Sequence, residues 1–244
     1  MSRNPFEILS FELLELRVRG VGPFQEDLFI LDLTDKDNEP SNFYIMAGRN
    51  GRGKTTSIEA IAYLLGLLQP EQSRLPVGWG TRLAEGAALQ LDLRVRVSQD
   101  GAERAMLLSL CAGAGEDPFL YEWPAERLER YAIQRTARYG YGTRPSGAPV
   151  WFGEGDPLIL DLKAKVQGAA DREPDPSPEG LAEDAPTVLY FTAYRDLGPP
   201  PPLLQRTLSP PDWRYRTLWR FEREGERWAG TLDNALVWLE YLAP

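Results

Sequence analysis

The sequence predicts an α/β fold with a mixed sheet around one helix, an antiparallel β sub-sheet beside it and a short C-terminal helical part. Three observations carry this prediction. First, residues 43–47 (Phe-Tyr-Ile-Met-Ala) are a short apolar run suited to a buried strand. A glycine-rich stretch follows, and then Ile58, Ile61, Ala62, Leu65 and Leu68 recur at helical spacing to about residue 68. Second, residues 88–98 alternate, with Leu89, Leu91, Leu93, Val95 and Val97 inward. Gln99-Asp100-Gly101 makes a turn and residues 104–111 return, which is a hairpin pattern. Third, residues 13–19 place Leu14, Leu16 and Val18 on one face and Glu15, Arg17 and Arg19 on the other. Gly20-Val21-Gly22-Pro23 breaks that strand, residues 27–33 supply a second, and a polar turn rich in Asp and Asn leads on to residue 43.

The glycine stretch reads Gly48-Arg49-Asn50-Gly51-Arg52-Gly53-Lys54-Thr55, followed by Thr56. It fits G-x-x-x-x-G-K-[ST], the phosphate-binding P-loop, in the strand–loop–helix context that the motif requires. Such a match arises by chance in roughly one chain of this size in a hundred at average residue usage. The spacing suits the chemistry. Gly48, Gly51 and Gly53 can adopt backbone conformations that turn N–H groups toward an anion, and the helix N-terminus adds its positive dipole end. Lys54 would reach the β- and γ-phosphates of ATP, and the Thr55 hydroxyl would ligate Mg²⁺. The plain alternative is a glycine-rich turn capping a core helix. A dinucleotide fingerprint fits less well: Gly20-Val21-Gly22 opens one, but Gln25 stands where the third glycine belongs.

Composition sets bounds on the rest. The chain has 244 residues, 43% hydrophobic and 26% charged, as expected of one or two globular domains. No run of eighteen apolar residues predicts a membrane span, and Met1-Ser2-Arg3-Asn4-Pro5 lacks the apolar core of a secretory signal. Cys111 is the only cysteine, which suits a reducing cytoplasm. Histidine is absent, so neither an imidazole base nor the usual zinc ligand is present. A net charge of −9 argues against wholesale coating of nucleic acid, while leaving room for a local basic patch.

Two strands, a turn, a third strand and then the P-loop is an order that resembles the N-terminal ATPase lobe of the ABC class in its SMC, Rad50 and RecF branch. The residues that carry the resemblance are the opening strand from Leu14-Glu15-Leu16 to Pro23-Phe24, Gly48 to Thr56 with its Asn50, and Glu59-Ala60-Ile61. The resemblance implies ATP and Mg²⁺ as ligands and a DNA-repair or anti-phage setting. It also implies a site completed by a C-terminal lobe or a partner subunit. In bacterial defence ATPases of related type a strand ends in an arginine beside the nucleotide, so the resemblance makes Arg195, after the apolar run 187–192, a second phosphate contact. An arginine that merely solvates the loop 198–202 is the alternative.

Other stretches are less specific. Residues 121–141 suggest a helix and then a loop through Gly140, Gly142 and Pro145. There Arg127, Arg130, Arg135, Arg138 and Arg144 interleave with Tyr131, Tyr139 and Tyr141, a pattern open to a nucleic-acid groove or to an exposed helix face. The Pro-rich, acidic stretch 167–186 predicts a flexible segment, which divides the chain into 1–166, 167–186 and 187–244. Residues 213–228 read as a hairpin around Gly225, and Thr231 caps a terminal helix with Leu232, Leu236 and Leu239.

Hydrolysis calls for an acidic residue at the end of an apolar strand. Leu158-Ile159-Leu160-Asp161 comes closest, but Leu162 stands where a glutamate belongs. An L-S-G-G-Q-like signature is absent too. The expectation is therefore an N-terminal lobe, a fragment or half of a split ATPase. A non-hydrolysing ATP-sensing subunit is the second reading, and a small-molecule kinase has little support. Without a signature element the chain should stay monomeric and hold nucleotide weakly.

Overall fold

Alternating apolar residues make β1 (Glu7–Val21) the backbone of the fold, and a left-handed Gly20 ends its regular run. The computed structural model describes residues 6–25, 27–41, 43–47, 49, 51–69, 83–99, 101–144, 147–170, 188–191 and 218–221. It forms two units, Met1–Lys165 and Val166–Pro244. In the first unit β1 joins β2 (Phe29–Asp32), β3 (Leu83–Gln99), β4 (Ala102–Gly113), β5 (Ile133–Thr143) and β6 (Pro149–Phe152) in one sheet. The strand order is β2-β1-β3-β4-β5-β6, and only β4 and β5 run parallel. The helices are α1 (Lys54–Gly66), α2 (Ala125–Arg130) and α3 (Pro157–Ala170). The second unit contributes β7 (Val188–Phe191) paired in parallel with β8 (Leu218–Phe221). No helix of the described residues is long and apolar enough to cross a membrane.

The expected hairpin is present as β3 and β4, with Leu89, Leu91, Leu93, Val95 and Val97 at or below 1% exposure. Helix α1 lies across β1, β3 and β4, where its C-terminal half from Ala62 to Gly66 is buried on all sides. Ile58, expected on the inner face, is exposed; Ser57, Ala60 and Leu64 face inward instead.

The opposite face of the sheet is covered as well, which the alternation of β1 does not reveal. A register shift between Leu13 and Glu15 turns Leu14 into a cluster with Leu107, Trp123, Tyr131 and Ile133. Glu15 and Arg17, expected to face solvent, are 3% and 5% exposed. They form an ion pair at 2.5 Å. Arg127 reaches Glu15 at 2.7 Å, and the Arg17 guanidinium lies 3.7 Å over the Tyr121 ring.

One further expectation changes, and two other stretches find their places. Residues 133–143, read as the end of a helix with Ile133 and then as loop, are strand β5. Gly140 and Gly142 serve close backbone approach there, because a Cβ at 140 would lie 1.8 Å from the Cys111 carbonyl oxygen and one at 142 would lie 2.0 Å from that of Gly115. Of the arginines of this stretch, Arg130 is exposed and Arg138 lines a shallow pocket with Glu116, Asp117, Phe152 and Gly153. Arg127 pairs with Glu15, Arg135 with Asp156, Arg138 with Glu122 and Arg144 with Glu116, while Tyr131, Tyr139 and Tyr141 are buried. Last, Leu158-Ile159-Leu160-Asp161 is helical: Asp156 accepts the Leu158 N–H at 2.8 Å, and Pro157 opens α3. Residues 167–170 continue that helix. The rest of the acidic stretch, the turn at Gly225 and the terminal helix lie outside the described residues; of the expected hairpin 213–228 only Leu218–Phe221 is described, as strand β8.

Candidate phosphate-binding site

Helix α1 begins at Lys54, as the motif requires, and Gly53 is its N-cap at φ 89°, ψ 7°. That left-handed conformation is open to glycine at little strain. Gly51 also has positive φ, 78°, and a Cβ built there would meet nothing within 4 Å. Position 51 therefore needs glycine for its backbone, whereas position 53 needs it for space as well. No side chain caps the helix, and its first turn holds no acidic residue. The N-terminal amides and positive dipole end of such a helix suit an anion.

The charged groups agree. The Lys54 ammonium folds back over the loop and donates to the Arg49 carbonyl at 2.9 Å. Arg49 and Arg52 are exposed on either side of Gly51. Three cations and no acid stand between positions 49 and 54, in a chain whose net charge is −9. Thr55 is exposed at the helix start, where its hydroxyl can take a place in the shell of a phosphate-bound Mg²⁺. Thr56 is half-buried and turned toward Gly22. Ser57, buried one residue on, donates its hydroxyl to the Gly53 carbonyl at 3.0 Å and so ties the cap to the first turn. A triphosphate with Mg²⁺ fits this donor set. Gly48, Asn50 and Arg195 lie outside the described residues.

One expectation beside the loop is corrected. Residues 43–47 belong to no strand, and Phe43 and Ile45 are 75% and 79% exposed. Tyr44 and Met46 are half-buried, and the Tyr44 hydroxyl donates to the Leu33 carbonyl at 2.6 Å. The alternation of a strand is present, but among the described residues no neighbour supplies the ladder that would make it one.

Two site residues were missed as such in the sequence. Phe24 and Gly22, in the turn between β1 and β2, pack against Gly53 and Thr56. Phe24 enters the sequence reading as a position of the opening-strand resemblance, without a role, and no local spacing ties it to a loop more than twenty residues away. Comparison with protein-family models, with curated proteins and with solved structures finds no match to this chain.

Proposed function

We propose that this chain binds Mg-ATP through residues 48–56, as the nucleotide-binding lobe of an SMC/Rad50/RecF-like ABC ATPase in cytoplasmic DNA repair or anti-phage defence. One observation carries the reading: a G-x-x-x-x-G-K-T sequence lies at the uncapped N-terminus of α1, with its last glycine left-handed and its lysine folded over the loop. The chain's own residues bind and orient. Loop amides and Lys54 hold the phosphates, and Thr55 helps to hold the metal. Bound Mg-ATP would supply a transferable phosphoryl group, and the carboxylate that activates water would come from a C-terminal lobe or a partner subunit.

A second reading is favoured by a specific finding. The nearest match to an acid-ended apolar strand, at 158–161, is part of α3. A non-hydrolysing ATP-sensing subunit therefore fits the chain taken alone. Phosphate release from Mg-ATP separates the two. The sensor reading expects release well below roughly 1 s⁻¹ under all conditions. The lobe reading expects such rates only when a protein with an Asp-Glu-ended strand and a signature element is added. Rates at or above that level from the isolated chain would contradict both.

A further inference from the structure

The turn between β1 and β2 touches the start of α1 at two points. A Cβ built on Gly53 would lie 2.1 Å from Phe24 Cζ and 2.7 and 2.9 Å from its two Cε atoms. A Cβ on Gly22 would lie 3.2 Å from Thr56 Oγ1. The Phe24 ring is not placed to swing aside. It stacks on Phe29 with centroids 4.1 Å apart and planes at 14°. Its backbone closes the turn: the Phe24 N–H donates to the Val21 carbonyl at 2.9 Å, and its own carbonyl accepts from the Gly20 N–H at 2.6 Å. The ring thus occupies the volume a side chain at 53 would take, behind the residue from which the first amides of α1 project.

We propose that Phe24 is a positioning residue for phosphate binding, whose ring, held by Phe29, braces Gly53 in its left-handed conformation and so aims the N-terminal amides of α1. The inference rests on the nucleotide-binding reading above and adds the element that shapes the loop. Glycine populates left- and right-handed regions about equally, so an unbraced Gly53 has several conformations of similar energy. Binding would then carry the cost of ordering the loop, which the ring otherwise meets in the folded protein. In this role Phe24 touches no ligand. Its removal weakens every ligand that uses the amides, whatever is attached to the phosphates.

The test compares inorganic tripolyphosphate with ATP, each with Mg²⁺, by calorimetry on the full chain. Phe24→Ala is expected to weaken both by the same factor, about tenfold. Phe24→Leu, which keeps apolar bulk and a folded turn, should move in the same direction, and Phe24→Tyr, which keeps the ring, should restore wild-type affinity. Loss for ATP alone would mean that the ring contacts the base, and would overturn the proposal. So would unchanged affinities in a variant whose parent binds both ligands. A parent that binds neither overturns the nucleotide reading and this inference with it. A double-mutant cycle on thermal stability reads the brace without any ligand. Gly53→Ala should lower the unfolding midpoint less in the Phe24→Ala background than in the parent, and equal losses would show that no brace exists.

Discussion

Asp92 sits at 0% exposure in the middle of β3, and its carboxylate accepts from Gln90 Nε2, Ser109 Oγ and Trp123 Nε1 at 2.6–3.1 Å. Burial pushes its pKa up from 3.8 to about 6. The three donors oppose that shift, and the nearby Glu15 charge adds to it. Because the folded pKa lies above the unfolded one, the stability this group contributes is present below about pH 4 and is lost as pH rises through about 6. The unfolding free energy of the parent minus that of Asp92→Asn should therefore fall between those pH values in denaturant titrations. A difference that stays flat across the window would contradict the burial of this acid. Gly140 makes a second prediction at this scale. A methyl group there would meet the Cys111 carbonyl oxygen at 1.8 Å, so Gly140→Ala should cost about 3 kcal/mol in the same assay, against a few tenths for Gly155→Ala, where a Cβ meets nothing.

The ion cluster under residues 121–131 joins elements that the sequence keeps far apart. Glu15 on β1 takes Arg17 from its own strand and Arg127 from α2, and Arg127 also lies 3.7 Å over the Trp123 ring. Glu15→Gln leaves two guanidinium groups without their counter-charge in a largely buried place, and should cost about 3 kcal/mol of unfolding free energy. A loss below about 1 kcal/mol would mean that the pair behaves as if exposed to solvent. The same cluster shows which elements were legible. The β3–β4 hairpin was read correctly from the Leu/Val alternation of β3 and the turn at 99–101, although both faces of β3 and β4 are buried along much of their length, and so was α1 with its glycine start. Strand β1 was found too, but its second face was not, because Glu15 and Arg17 look like solvent residues until Arg127 and Tyr121 arrive from elsewhere. Strand β5 was missed because glycine signals a turn locally, whereas at 140 and 142 it answers to neighbouring backbone. Residues 158–161 come closest to an acid-ended strand by residue type alone, and four residues carry too little periodicity to reveal the helix that Asp156 caps.

At the scale of the whole molecule, the start of α1 at Lys54 was legible from the glycine-rich sequence before it, while the contact of Phe24 with Gly53 became visible only in three dimensions. The run 43–47 leaves Phe43 and Ile45 in solvent, and a large apolar patch there would favour association. The proposed lobe lacks a signature element to close on a second copy's nucleotide, so sedimentation should show a monomer at micromolar concentration with or without Mg-ATP. A dimer formed only on adding ATP would require a signature-like element in this chain. The most direct test of the central proposal is equilibrium binding of Mg-ATP to the parent and to Lys54→Ala, with unfolding midpoints measured on both. The expected result is a dissociation constant of tens of micromolar for the parent, on the order of −6 kcal/mol, and at least about tenfold weaker binding by the variant at an unchanged midpoint. Equal affinity in the two proteins, or no binding by the parent, would contradict it.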